Sequence, residues 1–145
     1  MWFLKIIAKL VLSRLPIGYS WWSYIGLFRH GQMDDFSYAW QVLKHHSETQ
    51  NKKGWVGLEL GPGDGLLSAF LAPVLGAKSL TLIDSGDFAH KDVLRYSQSL
   101  YNFEQKYPDA DLPEDLLGCN NVDAMLSVVN GSYFTGSLSW DGFFC

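Results

Sequence analysis

The sequence is short of cysteine and has no long uninterrupted apolar segment. Its two cysteines, Cys119 and Cys145, cannot form a disulfide framework and do not have the spacing of a metal-binding pair. A reducing cytoplasm is therefore the simplest compartment.

The apolar run at residues 2–12 is interrupted by Lys5 and Lys9. It falls far below the roughly 20 residues that a membrane span needs, and no small-residue cleavage site of a secretory signal follows it.

Positive charge is missing from the last part of the chain. Residues 107–145 contain no Lys, Arg or His and carry six acidic side chains, whereas residues 1–54 carry seven basic and three acidic ones. The formal net charge of −4 disfavours a generic nucleic-acid binder, and no nucleic-acid partner is expected. Any attraction to anionic lipid is confined to the N-terminal third.

The length and composition predict one globular domain. The chain has 145 residues, of which 48% are hydrophobic and 15% aromatic. Such a chain buries a sizeable core, so disorder is excluded as the general state. The organisation that we predict is an N-terminal helical extension over residues 1–54, followed by a domain over residues 55–145.

The N-terminal residues 2–15 have the pattern of an amphipathic helix. Lys5, Lys9 and Ser13 are spaced four residues apart and form one narrow polar stripe. The favoured interpretation is a helix that packs on its own domain. The alternative is an interfacial helix that makes a peripheral membrane contact, with its leading aromatic residues inserted and its lysines facing headgroups.

The middle of the chain carries the most informative pattern. Residues 55–60 (WVGLEL) predict a buried strand, residues 61–65 (GPGDG) a glycine-rich turn, and residues 66–75 a helix. Residues 79–83 (SLTLI) predict a second strand that ends in Asp84. This β-turn-α-β unit predicts a parallel pair of strands with a right-handed crossover.

Helices are predicted before and after this unit. One runs from about Phe36 to His46 with Asp34 or Asp35 as its cap, and a polar loop follows at residues 47–54. Further helices are predicted at 92–107 and 122–129, and a strand is predicted to begin at residues 133–135.

An acidic residue and three alternating glycines mark the candidate ligand site. Glu59 is followed by Gly61, Gly63 and Gly65, and Asp84 ends the next predicted strand. Glycines let the backbone turn sharply and approach a ligand closely, and the following helix N-terminus offers free N–H groups. A carboxylate at the end of the second strand accepts hydrogen bonds from ribose hydroxyls in nucleoside-binding sheets. The pattern therefore favours a ligand that carries a nucleoside.

Two common nucleotide motifs do not match. A dinucleotide fingerprint counted from Gly61 requires glycine or alanine at its sixth position, where this sequence has Leu66. A phosphate-binding Walker loop requires Gly-Lys-Ser/Thr, where the sequence reads Gly65-Leu66-Leu67. An NAD-binding oxidoreductase piece is therefore the less favoured alternative.

Residues 55–87 resemble the opening half of a class I S-adenosyl-L-methionine-dependent methyltransferase, and residues 25–31 (IGLFRHG) and 84–92 (DSGDFAHKD) resemble one bacterial subgroup of that family. The resemblance implies a Rossmann-like three-layer α/β/α sandwich with a mostly parallel sheet, preceded by N-terminal helices. It implies S-adenosyl-L-methionine as the cofactor, an unknown methyl acceptor and no metal.

The same resemblance assigns roles to the site residues. The three glycines would line the amino-acid end of the cofactor, and Glu59 would support both the loop and the cofactor's amino group. Asp84 would hold the ribose, and the adenine contact would fall at Gly136 or Ser137. The structural alternative is that Glu59 is a strand-end carboxylate that caps the loop, and that Asp84 caps the next helix.

The length indicates a truncated sheet. The seven strands and about six helices of the family's complete sheet take roughly 170 residues, whereas residues 55–145 supply 91. We therefore expect a truncated methyltransferase that retains the cofactor-binding half, with S-adenosyl-L-methionine-dependent methyl transfer to an unknown acceptor as its function. The alternative is a catalytically inactive cofactor-binding or interaction fragment, with an open sheet edge that favours self-association.

Overall fold

The computed structural model describes residues 35–50 and 53–136 and shows a small α/β fold. Its helices are α1 and α3 and the shorter α2 and α4, and its strands are β1, β2 and β3. In chain order these are α1 Phe36–Gln50, β1 Trp55–Leu60, α2 Leu67–Leu71, β2 Ala77–Asp84, α3 Val93–Lys106, α4 Val122–Val128 and β3 Gly131–Thr135. The predicted helix at residues 2–15 lies outside the described residues. Within the ranges described, no helix is long and apolar enough to cross a membrane.

The three strands form one parallel sheet in the order β1-β2-β3. Glu59 of β1 is opposite Leu82 of β2, which is opposite Tyr133 of β3. The predicted parallel pair and the position of the first strand are confirmed, and β2 begins two residues before the predicted Ser79. In the described sheet β2 is central, while β1 and β3 are its edges.

Two helix ends differ from the prediction. Helix α1 continues to Gln50, whereas a loop was predicted from Ser47. The Ser47 hydroxyl donates to the Lys44 carbonyl, which lets a polar residue stay in the helix. Gly54, just before β1, has a left-handed φ of +78°. The predicted start is confirmed, since the Asp35 carboxylate accepts a hydrogen bond from the Ser37 N–H at 2.8 Å.

The helix predicted at residues 66–75 is divided into two parts. Only Leu67–Leu71 is α-helical, and Ala72–Leu75 forms a 3-10 turn. Pro73, near the start of that turn, has no N–H to donate to a helical hydrogen bond. Gly76 then ends the segment in the left-handed conformation, with φ +80°.

The helices pack on one face of the sheet around a core that includes Leu80 and Leu82. Aromatic side chains join α1 to α3: the ring of Phe103 lies 5.5 Å from that of Phe36 and 4.8 Å from that of Trp40, measured between centroids. Helix α1, predicted as part of an N-terminal extension, therefore shares its core with the segment that begins at Trp55.

Because the Phe103 ring joins α1 to α3, we expect its truncation to lower the stability of the fold strongly. Phe103→Ala should lower the free energy of unfolding by about 3–5 kcal/mol, because it leaves a cavity at a fully buried position between two helices. Urea denaturation measures the change. Tyr101→Ala, on the exposed side of the same helix, is the matched control and should stay within about 0.5 kcal/mol. Equal losses in both variants would contradict the packing described.

Candidate functional site

The glycine loop leaves the sheet at the carboxyl end of β1. Gly61 and Gly63 have φ values of +71° and +74°, a left-handed conformation that costs other residues about 1–2 kcal/mol each. The Gly61 N–H donates to the Ile83 carbonyl at 2.8 Å, so the loop starts as an extension of the strand pairing. The backbone therefore requires glycine at the first two of the three predicted positions.

Asp84 connects this loop to the end of the central strand. Its carboxylate is buried, with Oδ2 accepting a hydrogen bond from the Gly63 N–H at 3.0 Å and Oδ1 accepting one from the Ser85 N–H at 2.7 Å. Oδ1 also accepts from the Ser85 hydroxyl at 3.4 Å, so the capacity to accept from a ligand hydroxyl remains on Oδ2. It does not cap the next helix. That cap is Asp92, whose Oδ1 accepts from the Arg95 N–H at 3.3 Å.

Glu59 lies on the same face of the sheet as Asp84, one strand away. The register places Glu59 opposite Leu82, two residues before Asp84. Burial raises the pKa of Glu59 above its usual value, while a hydrogen bond from the Ser68 side chain and the charge of His46 act in the opposite direction. The site therefore holds a partly desolvated carboxylate next to the glycine loop.

Two cavities meet at Glu59. One, of about 250 Å³, lies between α1 and the glycine loop and is lined in part by Glu59, Gly61, Gly65 and Tyr38. The other, of about 500 Å³, lies between α1 and β1 and includes His46. Three of the five predicted site residues thus line the smaller cavity. The other two predicted residues, Gly63 and Asp84, do not line this cavity.

One of the N–H groups expected to be free at the start of α2 is already bonded within the protein. This helix has only five residues, and the Leu66 N–H donates to the Tyr96 hydroxyl at 3.2 Å. Tyr96 in turn donates to the His90 carbonyl at 3.0 Å, and burial raises the pKa of its hydroxyl well above the usual range. The N–H group that precedes this helix is therefore already bonded, and Tyr96, which the sequence did not single out, fixes the loop to the start of α3.

A second tyrosine holds the loop that follows β2. The Tyr133 hydroxyl accepts from the N–H groups of Phe88 and Ala89, at 3.3 and 3.4 Å, and donates to the Gly86 carbonyl at 3.2 Å. Just after β3, the Gly136 N–H donates to the Asp84 carbonyl at 3.2 Å. The candidate adenine position at Gly136 is therefore adjacent to the candidate ribose position, and Ser137 lies outside the described residues.

Comparisons of the chain with protein-family models, with curated proteins and with solved structures found no match. No relative therefore assigns a role to these residues. In the part of the chain that the structure describes, no group of three or more His, Cys, Asp or Glu side chains is placed to hold a metal ion. What the geometry offers is a glycine loop, two carboxylates on one sheet face and a cavity beside them.

Removing only the hydroxyl of the buried Tyr96 should lower the stability of the fold. Tyr96→Phe should lower the free energy of unfolding by about 1–3 kcal/mol, because the buried Leu66 N–H loses its acceptor. Hydrogen exchange of the Leu66 amide should accelerate in the same variant. Tyr101→Phe, on the exposed side of α3, is the control and should change neither quantity. An unchanged Leu66 exchange rate in Tyr96→Phe would contradict the hydrogen bond.

Because the pKa of Glu59 is raised, we expect a substitution that removes its charge to stabilise the fold by an amount that depends on pH. The folded state binds this proton more tightly than the unfolded chain, whose value is near 4.5. The penalty for the charged form is thus absent below pH 4.5 and grows as the pH rises through the folded-state pKa. Glu59→Gln should raise the melting temperature at pH 7.5, and the gain should shrink toward pH 4.

The control for that prediction is Glu48→Gln, an exposed position on α1. It should leave the melting temperature unchanged at both pH values. A gain from Glu59→Gln that is the same at pH 4 and pH 7.5 would show that its cause is packing and not charge.

Proposed function

We propose that this chain binds S-adenosyl-L-methionine at the glycine loop and transfers its methyl group to an acceptor not yet identified. The observation that carries the proposal is the hydrogen bond from Gly63 to Asp84, which joins a left-handed glycine turn after β1 to a carboxylate at the end of β2. Ligands of open parallel sheets bind beyond these carboxyl ends. The resemblance of residues 55–87 to class I methyltransferases supports this choice of ligand.

The residues present fit that cofactor. A Cβ atom built on Gly61 meets no protein atom within 4 Å, so the loop is open on the side from which a ligand would approach. The cofactor's amino group is a cation, and it would compensate the desolvated charge of Glu59. The remaining acceptor position on Oδ2 of Asp84 suits a ribose hydroxyl.

When bound, S-adenosyl-L-methionine supplies a methyl group on a positively charged sulfur. The contribution of the chain would be to hold the two ends of the cofactor, with Glu59 at the amino group and Asp84 at the ribose. Fixing both ends orients the methyl group and lowers the entropy lost on reaching the reactive geometry.

For the fold, we propose the first half of a doubly wound, Rossmann-like sheet. Such sheets have the strand order 3-2-1-4, so β1 would be followed by a further strand on its free side and helices would cover both faces. The order β1-β2-β3 in the described residues agrees with the first three of these positions.

Two alternatives are tested by the same experiment. The open edge of β1 in the described sheet favours a fragment that binds the cofactor, or a protein partner, without turnover. An NAD-binding piece is opposed by Leu66, which is completely buried at the position where the dinucleotide fingerprint needs glycine or alanine.

Calorimetric titration of the full 145-residue chain with S-adenosylhomocysteine tests the proposal. We expect saturable binding that Asp84→Asn weakens about ten- to hundredfold, because a charged hydrogen bond to the ribose contributes about 1.5–3 kcal/mol. Asp87→Asn is the matched control, since Asp87 is an exposed carboxylate in the same loop that pairs with Lys91. It should leave the affinity unchanged.

The outcomes separate the hypotheses. Binding of NAD in place of S-adenosylhomocysteine would select the oxidoreductase alternative. Binding of S-adenosylhomocysteine, together with no loss of the labelled methyl group from S-adenosyl-L-methionine incubated with the chain, would select the inactive fragment. The absence of any binding by a chain that unfolds cooperatively would contradict the proposed function.

A further inference from the structure

One face of the sheet is apolar and uncovered in the described part of the chain. Leu80 and Leu82 point to the face on which the helices pack, whereas the other face of β1 carries Val56, Leu58 and Leu60. These three side chains are 69%, 61% and 69% exposed, and Phe134 on β3, which lies on the same face, is 58% exposed. We call this surface, defined by these four side chains, the open face.

The path of the chain explains why the face is open. The strands follow each other in one direction across the sheet, from β1 to β2 to β3, and crossovers of the same hand then place all connecting helices on one side. Parallel sheets are normally covered on both faces, and a strand that is apolar on both sides is typical of that burial. A cover for the open face must therefore come from outside the segment between β1 and β3.

The chain enters the described structure beside the carboxyl end of the edge strand β1, on the side that α1 covers, so a preceding segment reaches the open face by passing the edge of β1. Asp35, the residue before α1, lines the same cavity as Leu60 and Gly61 at the carboxyl end of β1. Thirty-four residues precede it in the sequence. Of these, residues 16–34 are 19 residues long and reach up to about 60 Å when extended, which exceeds every dimension of a three-stranded sheet.

The segment before that connection matches the open face in length and polarity. As a helix, the 14 residues from 2 to 15 would be about 21 Å long, and the six residues of β1 span about 20 Å. Opposite the polar stripe formed by Lys5, Lys9 and Ser13, the apolar residues Leu4, Ile7 and Val11 would share one helical face. Arg14 would continue this face in the last turn, where its long side chain can extend to solvent.

We propose that residues 2–15 cover the open face, with Leu4, Ile7 and Val11 against the exposed side chains of β1 and with Lys5 and Lys9 toward solvent. The polar stripe is narrow, which suits a helix buried on most of its circumference. An interfacial membrane helix has a broad, strongly charged face. Because the segment is tethered to α1, its effective concentration at the open face also exceeds that of any separate partner.

Photo-crosslinking within the full chain tests this assignment. A benzophenone amino acid replaces Leu58 on the open face, and in a control chain it replaces Leu94, which is 81% exposed on α3. After irradiation of the monomeric chain, we expect peptides joined between position 58 and residues 2–15, and none between position 94 and that segment.

Other results would overturn the proposal and identify a different occupant. Crosslinks between two chains would assign the face to a second copy, and crosslinks to residues 137–145 would assign it to the other end of the chain. Crosslinks to lipid in a parallel sample with phosphatidylglycerol vesicles would assign it to a membrane. A chain that forms none of these products at position 58 would leave the face without an occupant and would equally refute the proposal.

A pair of charge substitutions adds a second readout. Ile7→Asp should lower the yield of the position-58 crosslink about tenfold or more, because an unpaired carboxylate is costly to bury. Lys9→Asp introduces the same side chain two residues away on the polar stripe and should keep the yield. Equal yields in the two variants would overturn the assigned orientation.

Discussion

The hydrogen bond between the Gly63 N–H and the Asp84 carboxylate is the contact on which the candidate site depends. It fixes the turn after one strand to the end of its neighbour, so the loop cannot move without the sheet. The parallel register makes this contact available, because it brings the carboxyl ends of β1 and β2 to the same edge. Gly61 and Gly63 make it sterically accessible, since their left-handed conformation aims the loop N–H groups back at the strand ends.

Around this contact, two tyrosine hydroxyls hold the backbone of the loops, and one carboxylate is partly desolvated. Tyr96 and Tyr133 hold the loops on either side through hydroxyl groups that both donate and accept. Glu59, by contrast, carries its charge in a partly desolvated position that burial disfavours. A partly desolvated carboxylate beside a cavity is the arrangement expected of a binding site for a cation, because a cationic ligand would add to the partial compensation that Ser68 and His46 provide. This is the physical basis for preferring a ligand with an amino group.

Much of this architecture could be predicted from local sequence patterns. The contacts that could not be predicted join residues that are far apart in the sequence. The strands, the glycine turn and the cap at Asp35 were predictable because apolar alternation, glycine and capping residues act over a few positions. The bond from Leu66 to Tyr96 joins residues 30 apart, and those to Tyr133 join residues 44 to 47 apart, so no local pattern announces them. Three of the predicted site residues line a cavity, while Gly63 and Asp84 bond to each other. This division depends on how α1 packs over the loop, which the pattern of a single sequence does not show.

The central claim, that the glycine loop is the binding surface for S-adenosyl-L-methionine, is tested most directly by nuclear magnetic resonance of the ¹⁵N-labelled full chain. On titration with S-adenosylhomocysteine, the amides of Gly61, Gly63, Gly65 and Ser85 should shift together and saturate at one concentration. The amides of Tyr101 and Asn102, on the exposed side of α3, should stay in place. Saturable shifts confined to residues away from the loop, or no shifts at all in a folded chain, would contradict the claim.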